Sequence, residues 1–379
     1  MSELRSKTRR NRIKALSITL AIIAVAVLPD PAFAQIRGGD QIILRGDTRH
    51  RNVEIIKEGC DEIAFRLGGA RRTVPTTDVV DVVYGNQPTR LVQAKSDIGI
   101  GKYKKALAHL EYVINSVGDN SPDWLLPHAL YQKGKALNFW GKTDPSRYGQ
   151  AAETLEKLTQ NKDNKGHRLQ PMALRLLGDA LLGAGEVAEA EKSFKELAAV
   201  QCPGPWAIHG KYGQAKIQLK GGDQMKARSL FLDVIKEAGF RPEAQALAGE
   251  ARLAMGKSWL AEASFKNAID AFKGAIRAGD ETIGSDGGLL PILTKAFNGM
   301  GDAYLQRADK FEDAKDYQEA LLAYMHVVVL SEEPVSERRH ALLQSGKCST
   351  KIGWKDMAKS LFGELKSRYP TSQEAKEAN

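Results

Sequence analysis

LRLLGDALLGAGEVAEAEKSFKELAAVQCP, residues 174–203, carries two apolar stripes at helical spacing. Leu174, Leu177 and Leu181 form the first, and Ala190, Phe194 and Leu197 the second, with Gly185 between them and Pro203 beyond. The second stripe is an alanine, a large apolar residue four places on and another apolar residue three further. Any amphipathic helix can supply that pattern once. Here it recurs in order at Ala106/Leu110/Val113, Ala151/Leu155/Leu158, Ala190/Phe194/Leu197, Ala227/Phe231/Val234, Ala268/Phe272/Ala275, Ala320/Tyr324/Val327 and Ala358/Phe362/Leu365. Seven matches in order indicate a row of helical units, none of which can bury its apolar face without a neighbour.

With Gly178 and Gly185 added, residues 174–203 resemble a tetratricopeptide repeat, and Leu342, Gly346, Ala358, Phe362, Leu365 and Pro370 carry the same resemblance near the C-terminus. The resemblance implies two antiparallel helices per unit that approach closely at small residues such as Gly178 and Ala190. The steps between the seven alanines are 45, 39, 37, 41, 52 and 38 residues, against a family period of about 34. Loops or extra helical turns are therefore expected between units, notably at 143–148, 280–288 and 309–316. The expected fold is mainly α: a superhelix of about seven helical pairs over residues 89–379, with an irregular helical solenoid as the alternative. The tail Gln373–Asn379 lacks an apolar stripe and reads as a short capping helix or a frayed end.

The first 34 residues read as a secretory signal. Arg5, Lys7, Arg9, Arg10, Arg12 and Lys14 precede an apolar run of 14 residues, Ala15–Leu28, which Pro29 and Pro31 end. Ala32-Phe33-Ala34 then offers small residues for cleavage before Gln35. As a helix that run rises about 21 Å, short of a hydrocarbon core of about 30 Å, so cleavage is expected rather than a membrane anchor. Thr8-Arg9-Arg10 with Lys14 partly resembles a twin-arginine export signal, which Arg12 does not fit, and both export routes stay open. Without the leader the chain holds 49 basic and 44 acidic residues, a net charge of +5 over 345 residues. That is too mild and too dispersed to point to nucleic acid.

Between Gln35 and Pro88 the pattern becomes extended, with β-rich runs at Gln41–Arg45, Val53–Lys57, Glu62–Leu67, Arg71–Pro75 and Val79–Tyr84. Ile63, Phe65 and Leu67 mark one inward face and Val80, Val82 and Tyr84 another. This segment, 35–88, resembles a small SH3-like or Sm-like β-barrel. Sm-like barrels imply RNA binding, but eight basic residues against eight acidic, together with export, argue for a packing or docking module. The linker Asn86–Thr89 is short, so the module is expected to pack on the first helical pair. Cys60, Cys202 and Cys348 have no metal-ligand spacing and read as structural, with at least one thiol left free.

No catalytic pattern emerges. The seven histidines form no HExxH, no serine lies in a GxSxG, and Ala251–Ser258 lacks the first glycine of a phosphate loop. The expectation is a protein that is not an enzyme and has no metal or cofactor.

The resemblance places groove-facing positions on the first helix of each unit. These are His128, Tyr131, Lys135, Asn138 and Phe139 in the second, Met172, Arg175, Asp179 and Leu182 in the third, and His209, Tyr212, Lys216, Leu219 and Lys220 in the fourth. The sixth supplies Lys295, Asn298, Asp302 and Leu305, and the seventh His340, Leu343, Lys347, Thr350 and Lys351. Seven basic residues against two acidic make a mildly positive groove, suited to the carboxylates and backbone of a peptide. A lysine-rich solvated face is the plain alternative. The resulting expectation is an exported scaffold, periplasmic or secreted, that binds a protein or peptide partner in cell-envelope assembly or maintenance. The competing readings are a binder of peptidoglycan or another anionic envelope polymer, and an enzyme with its site in the barrel or at 280–288. Leu361, Phe362 and Leu365 also leave open a homo-oligomer through the terminal repeats.

Overall fold

The computed structural model describes residues 39–239, 241–280, 290–330 and 335–378. The expected signal segment 1–34, its cleavage point before Gln35 and most of the expected loop at 280–288 lie outside the described residues.

Among the described residues five strands come first: β1 (Asp40–Leu44), β2 (Arg49–Glu58), β3 (Glu62–Leu67), β4 (Ala70–Pro75) and β5 (Val79–Val83). They form one antiparallel sheet in the order β4-β3-β2-β1-β5. The edge strands β4 and β5 are consecutive in the chain, joined by the 3-10 turn Thr76–Asp78. A flat sheet would hold those edges about 19 Å apart, at about 4.8 Å per strand. A turn rising about 2 Å per residue spans far less, so the sheet curls.

Ile42, Val53, Ile63, Phe65, Val74, Val82 and Tyr84 fill the interior of that curl. Val80 does not join them and is 57% exposed. The β1–β5 register explains this: Asp81 pairs with Ile43 and Val79 with Leu44, which leaves Val80 as the extra residue of a bulge.

Fourteen helices follow in seven antiparallel pairs: α1 (Thr89–Gly99) with α2 (Tyr103–Asn115), α3 (Leu125–Gly141) with α4 (Arg147–Thr159), α5 (Leu169–Ala184) with α6 (Val187–Ala199), α7 (Trp206–Lys220) with α8 (Gln224–Ala238), α9 (Gln245–Ala261) with α10 (Phe265–Asp280), α11 (Leu290–Phe311) with α12 (Ala314–Leu330), and α13 (Val335–Lys351) with α14 (Lys355–Arg368). Each of the seven alanines sits on the second helix of its pair, and none is more than 5% exposed. The assembly is a tetratricopeptide-type superhelix.

The close approach has a repeated physical basis. A Cβ on Gly178 would lie 2.6 Å from the ring of Phe194, and one on Gly213 would lie 2.2 Å from the same ring. Phe194 is thus wedged between the first helices of its own unit and the next. Phe272 sits in the same way between Gly256 and Gly299. In five of the seven units the large residue four places after the alanine fills a slot that a glycine leaves open, and Phe194 and Phe272 thereby link adjacent units.

The extra residues expected near 309–316 are mostly helical: α11 runs to Phe311 and α12 starts at Ala314. The C-terminal residues form a cap, α15 (Gln373–Glu377), where Ala375 and Ala378 close over Leu342, Leu343, Leu361 and Leu365. Ser372 begins it by accepting a hydrogen bond from the Ala375 amide at 3.1 Å.

The sheet packs further along the superhelix than the first pair. Lys95 of α1 pairs with Asp81 at 3.5 Å, and Tyr84 stacks on Trp124 at 4.0 Å between ring centres. Cys60 Nα–H donates to the Gly166 carbonyl at 2.8 Å, and a disulfide joins Cys60 to Cys202 in the α6–α7 connection. The sequence pattern showed only the core of β2. The whole strand has ten residues, and a rise of about 3.4 Å each carries its far end across several units.

Candidate functional site

The first helices of units two to six line one cavity of about 730 Å³. Asn138 and Phe139 reach it from α3, Arg175, Asp179 and Leu182 from α5, and His209, Tyr212, Lys216, Leu219 and Lys220 from α7. Glu250, Leu253 and Lys257 arrive from α9, and Lys295 from α11. Stacking parallel helices at a fixed offset is what brings such distant residues together.

The cavity holds six cations, Lys142, Arg175, Lys216, Lys220, Lys257 and Lys295, against Asp179 and Glu250. One of the acids is already paired, Asp179 with Lys216. The Tyr212 hydroxyl has its pKa pushed well above normal by burial and then by the charge of Glu250. Lys220 donates to the Leu182 carbonyl, and Lys142 lies 5.0 Å from the centre of the Phe139 ring. Arg175, Lys257 and Lys295 have no ion-pair partner among the described residues. His209 is held neutral, its pKa lowered to about 3 by burial and then by the charge of Arg175. It stacks at a tilt on Trp206, with ring centres 5.8 Å apart.

Of the residues expected to face the groove, Asn138, Phe139, Arg175, Asp179, Leu182, His209, Tyr212, Lys216, Leu219, Lys220 and Lys295 line this cavity. Asn138 is 5% exposed and donates to the Leu176 carbonyl at 3.0 Å, so it fixes neighbouring helices as much as it faces solvent. The remaining expected residues do not line it. His128 is 2% exposed and turned toward the sheet, and Tyr131 is buried in the core. Lys135 lies 5.7 Å from the centre of the Phe139 ring, its pKa lowered by burial. Asn298 is buried and donates to Glu337, at 2.8 Å to the carboxylate. Lys347 approaches Glu377 at 3.8 Å, and Lys351 lies over Tyr317.

The sequence reading omitted Lys142, Tyr148, Glu250 and Lys257. The last two occupy the first helix of the fifth unit, for which no groove positions had been drawn. Counting equivalent positions on α9 would have found them.

A second cluster joins the sheet to the superhelix. Glu58, at the end of β2, accepts hydrogen bonds on Oε1 from the Tyr84 hydroxyl at 2.6 Å and from His128 Nε2 at 2.7 Å. Its Oε2 accepts from Arg168 Nε at 2.9 Å, and Arg168 itself is 5% exposed. Burial opposes ionisation here. The His128 hydrogen bond, the charges of His128 and Arg168 and the Tyr84 hydroxyl outweigh it and hold the carboxyl well below the usual range.

Glu58, His128 and His167 also bring three possible metal-ligand atoms within 4.8 Å of one another. Their bonding does not suit a cation. Both Glu58 oxygens are taken, one by a guanidinium, and His167 Nδ1 accepts the Leu169 amide at 3.0 Å. A metal-bound histidine ordinarily donates from its outer nitrogen, and here that neighbour is itself a donor. The pKa of His167 is lowered to about 4 by burial, so the ring is neutral and carries its proton on Nε2. The cluster is a structural lock.

Family models agree with this architecture. Models of the tetratricopeptide repeat match residues 146–204 and 340–372. The chain carries tetratricopeptide repeats, arranged in the kind of superhelix that serves as a protein-interaction scaffold. No relative is found among curated protein sequences.

Similar solved structures include PilW, a type IV pilus biogenesis factor, at 13% identity over 65% of this chain and 97% of that one, with a TM-score of 0.44. Pseudomonas aeruginosa PilF matches at 15% identity over 66% and 96% of the two chains, with a TM-score of 0.42. The apo form of RapI matches at 10% identity over 76% and 77%, with a TM-score of 0.48. At such identities the likeness concerns fold alone, and superpositions this loose transfer no function.

Proposed function

We propose that this protein is an exported, non-enzymatic scaffold of the cell envelope that holds an acidic, extended segment of a protein partner in the groove of units two to six. The observation that carries the proposal is the charge of that groove: six cations face two acids, Asp179 is already paired with Lys216, and Arg175, Lys257 and Lys295 have no ion-pair partner among the described residues. Carboxylates entering between these groups gain charge-assisted hydrogen bonds, while Phe139, Leu182 and Leu219 receive apolar side chains.

Export is supported by the basic leader, apolar run and Ala32-Phe33-Ala34. The Cys60–Cys202 disulfide supports it too, since such bonds persist in oxidising compartments. The three-residue link between the edge strands supports a small barrel for residues 39–84.

The test uses mature protein and a fluorescein-labelled peptide of alternating glutamate and leucine. Arg175→Glu/Lys257→Glu/Lys295→Glu is expected to weaken its binding by more than tenfold with the circular dichroism spectrum unchanged. Equal binding by both forms removes the groove as the working surface. The same six cations suit an anionic polymer. Saturable binding of a soluble anionic glycan, abolished by moderate salt while the peptide fails to bind, would favour that reading.

A further inference from the structure

A second cavity, of about 970 Å³, opens where β2 meets the α2–α3 and α4–α5 connections, and it shares no lining residue with the groove. One side of its wall is apolar: Ile55 from the sheet, Ile114 and Val117 at the end of α2, and Trp124 and Leu126 at the start of α3. All five are half-buried, each packed on a core cluster on one side and open to the cavity on the other. Among the polar groups inside it, Glu58 is already satisfied by Tyr84, His128 and Arg168, and Asn164 donates to the Leu158 carbonyl at 2.9 Å.

The rim has the opposite charge to the groove. Asp119, Asp123 and Asp163 are exposed there and have no side-chain partner among the described residues. Of the two lysines at the rim, Lys157 is paired with Glu153 at 2.9 Å, which leaves Lys57. Three free carboxylates around half-covered aliphatic and indole surface suit an apolar side chain that carries positive charge beside it.

We propose that this cleft is a second docking site, which takes an apolar anchor residue of a polypeptide partner flanked by lysine or arginine. Leu126 in the cleft and Asn138 in the groove lie on the same helix, α3, 12 residues apart in sequence. At 1.5 Å per residue that is about 18 Å. A basic segment and an acidic segment can therefore be held at once on one rigid element, which turns a binding superhelix into a connector.

Random heptapeptides displayed on phage and selected on mature protein test this directly. The expected result is a class with one large apolar residue flanked by Lys or Arg. A synthetic member of that class should bind at least tenfold more weakly to Asp119→Lys/Asp123→Lys/Asp163→Lys, whose changes are all on exposed side chains. It should keep its affinity for Arg175→Glu/Lys257→Glu/Lys295→Glu. A member should also quench the fluorescence of Trp124, read against a Trp124→Phe control. The proposal is overturned if no such class is selected, or if its members bind the rim variant as well as they bind the parent. Loss of the acidic peptide with the groove variant is read separately, so either site can fail without the other.

Discussion

Glu58→Gln tests what holds the sheet against the superhelix. Glutamine preserves the shape and one acceptor oxygen, but it removes the charge that faces Arg168 and His128, 5% and 2% exposed respectively. A charge stranded in this way costs about 3–5 kcal/mol, because water cannot reach it to replace the lost partner. At 1.36 kcal/mol per decade that corresponds to an opening constant for the sheet raised by about two to three and a half orders of magnitude. Hydrogen exchange on the amides of β2 and β3 reads this locally and needs no global two-state unfolding. The Cys60–Cys202 bond stays intact in both proteins, so the comparison isolates the carboxylate. The pH dependence has a definite sign. The folded pKa of Glu58 is depressed, so its contribution is complete above the unfolded value of about 4.3 and fades as pH falls below it. Parent and variant should therefore converge in acid. Protection in the variant within about fivefold of the parent at neutral pH would refute the reasoning, since Arg168 and His128 would then be satisfied without Glu58.

Other perturbations address other parts of the molecule. Ala190→Trp places an indole where the residue is fully buried, and overpacking of this size should lower stability by at least about 1–3 kcal/mol in urea titration. Cys60→Ser/Cys202→Ser opens a loop closed across 142 residues, worth about 5 kcal/mol in the chain-entropy account, and should lower the unfolding midpoint relative to the oxidised parent. Deleting residues 372–379 uncovers Leu342, Leu343, Leu361 and Leu365 and should produce association visible by analytical ultracentrifugation. Burial opposes protonation of His340, but its bond to Asp302 at 2.8 Å outweighs that and raises its pKa. The stabilisation from this pair is thus full below about pH 6.5 and lost as pH rises through the folded value, and an NMR titration should show the pKa fall in Asp302→Asn.

The superhelix was legible because its determinants repeat. The alanine and the large residue four places on mark each second helix, and Gly178 and Gly256 precede Phe194 and Phe272 by the same 16 residues. The groove was legible where that period held, in units three and four, which supplied Arg175, Asp179, His209, Tyr212, Lys216 and Lys220. It failed at His128. A periodic position states which way a side chain leaves its helix, and nothing in the repeat shows that a strand end with a buried carboxylate, Glu58, waits there. The same holds for Val80, whose displacement depends on a one-residue bulge against β1. The joining of Cys60 to Cys202 was equally out of reach, since spacing alone does not reveal which distant loops meet.

That joining bears on the groove. In a solenoid each unit touches mainly its neighbours, so curvature can change a little at every step and a groove spanning five units is soft. Here the sheet bridges the steps: Trp124 and His128 tie it to unit two, Arg168 to the start of unit three, and Cys202 to the connection into unit four. These are three of the units that supply Phe139, Arg175 and Lys216 to the groove. Fixing their relative angle in advance removes part of the ordering cost that a ligand otherwise meets on binding. The acidic peptide should consequently bind more weakly to Cys60→Ser/Cys202→Ser than to the oxidised parent, by a faster dissociation, although neither cysteine lines the groove. Calorimetry should show the loss as a more unfavourable entropy of binding. Equal dissociation rates in the two proteins would mean that packing between the helices alone sets the curvature, and that the disulfide serves the sheet and nothing beyond it.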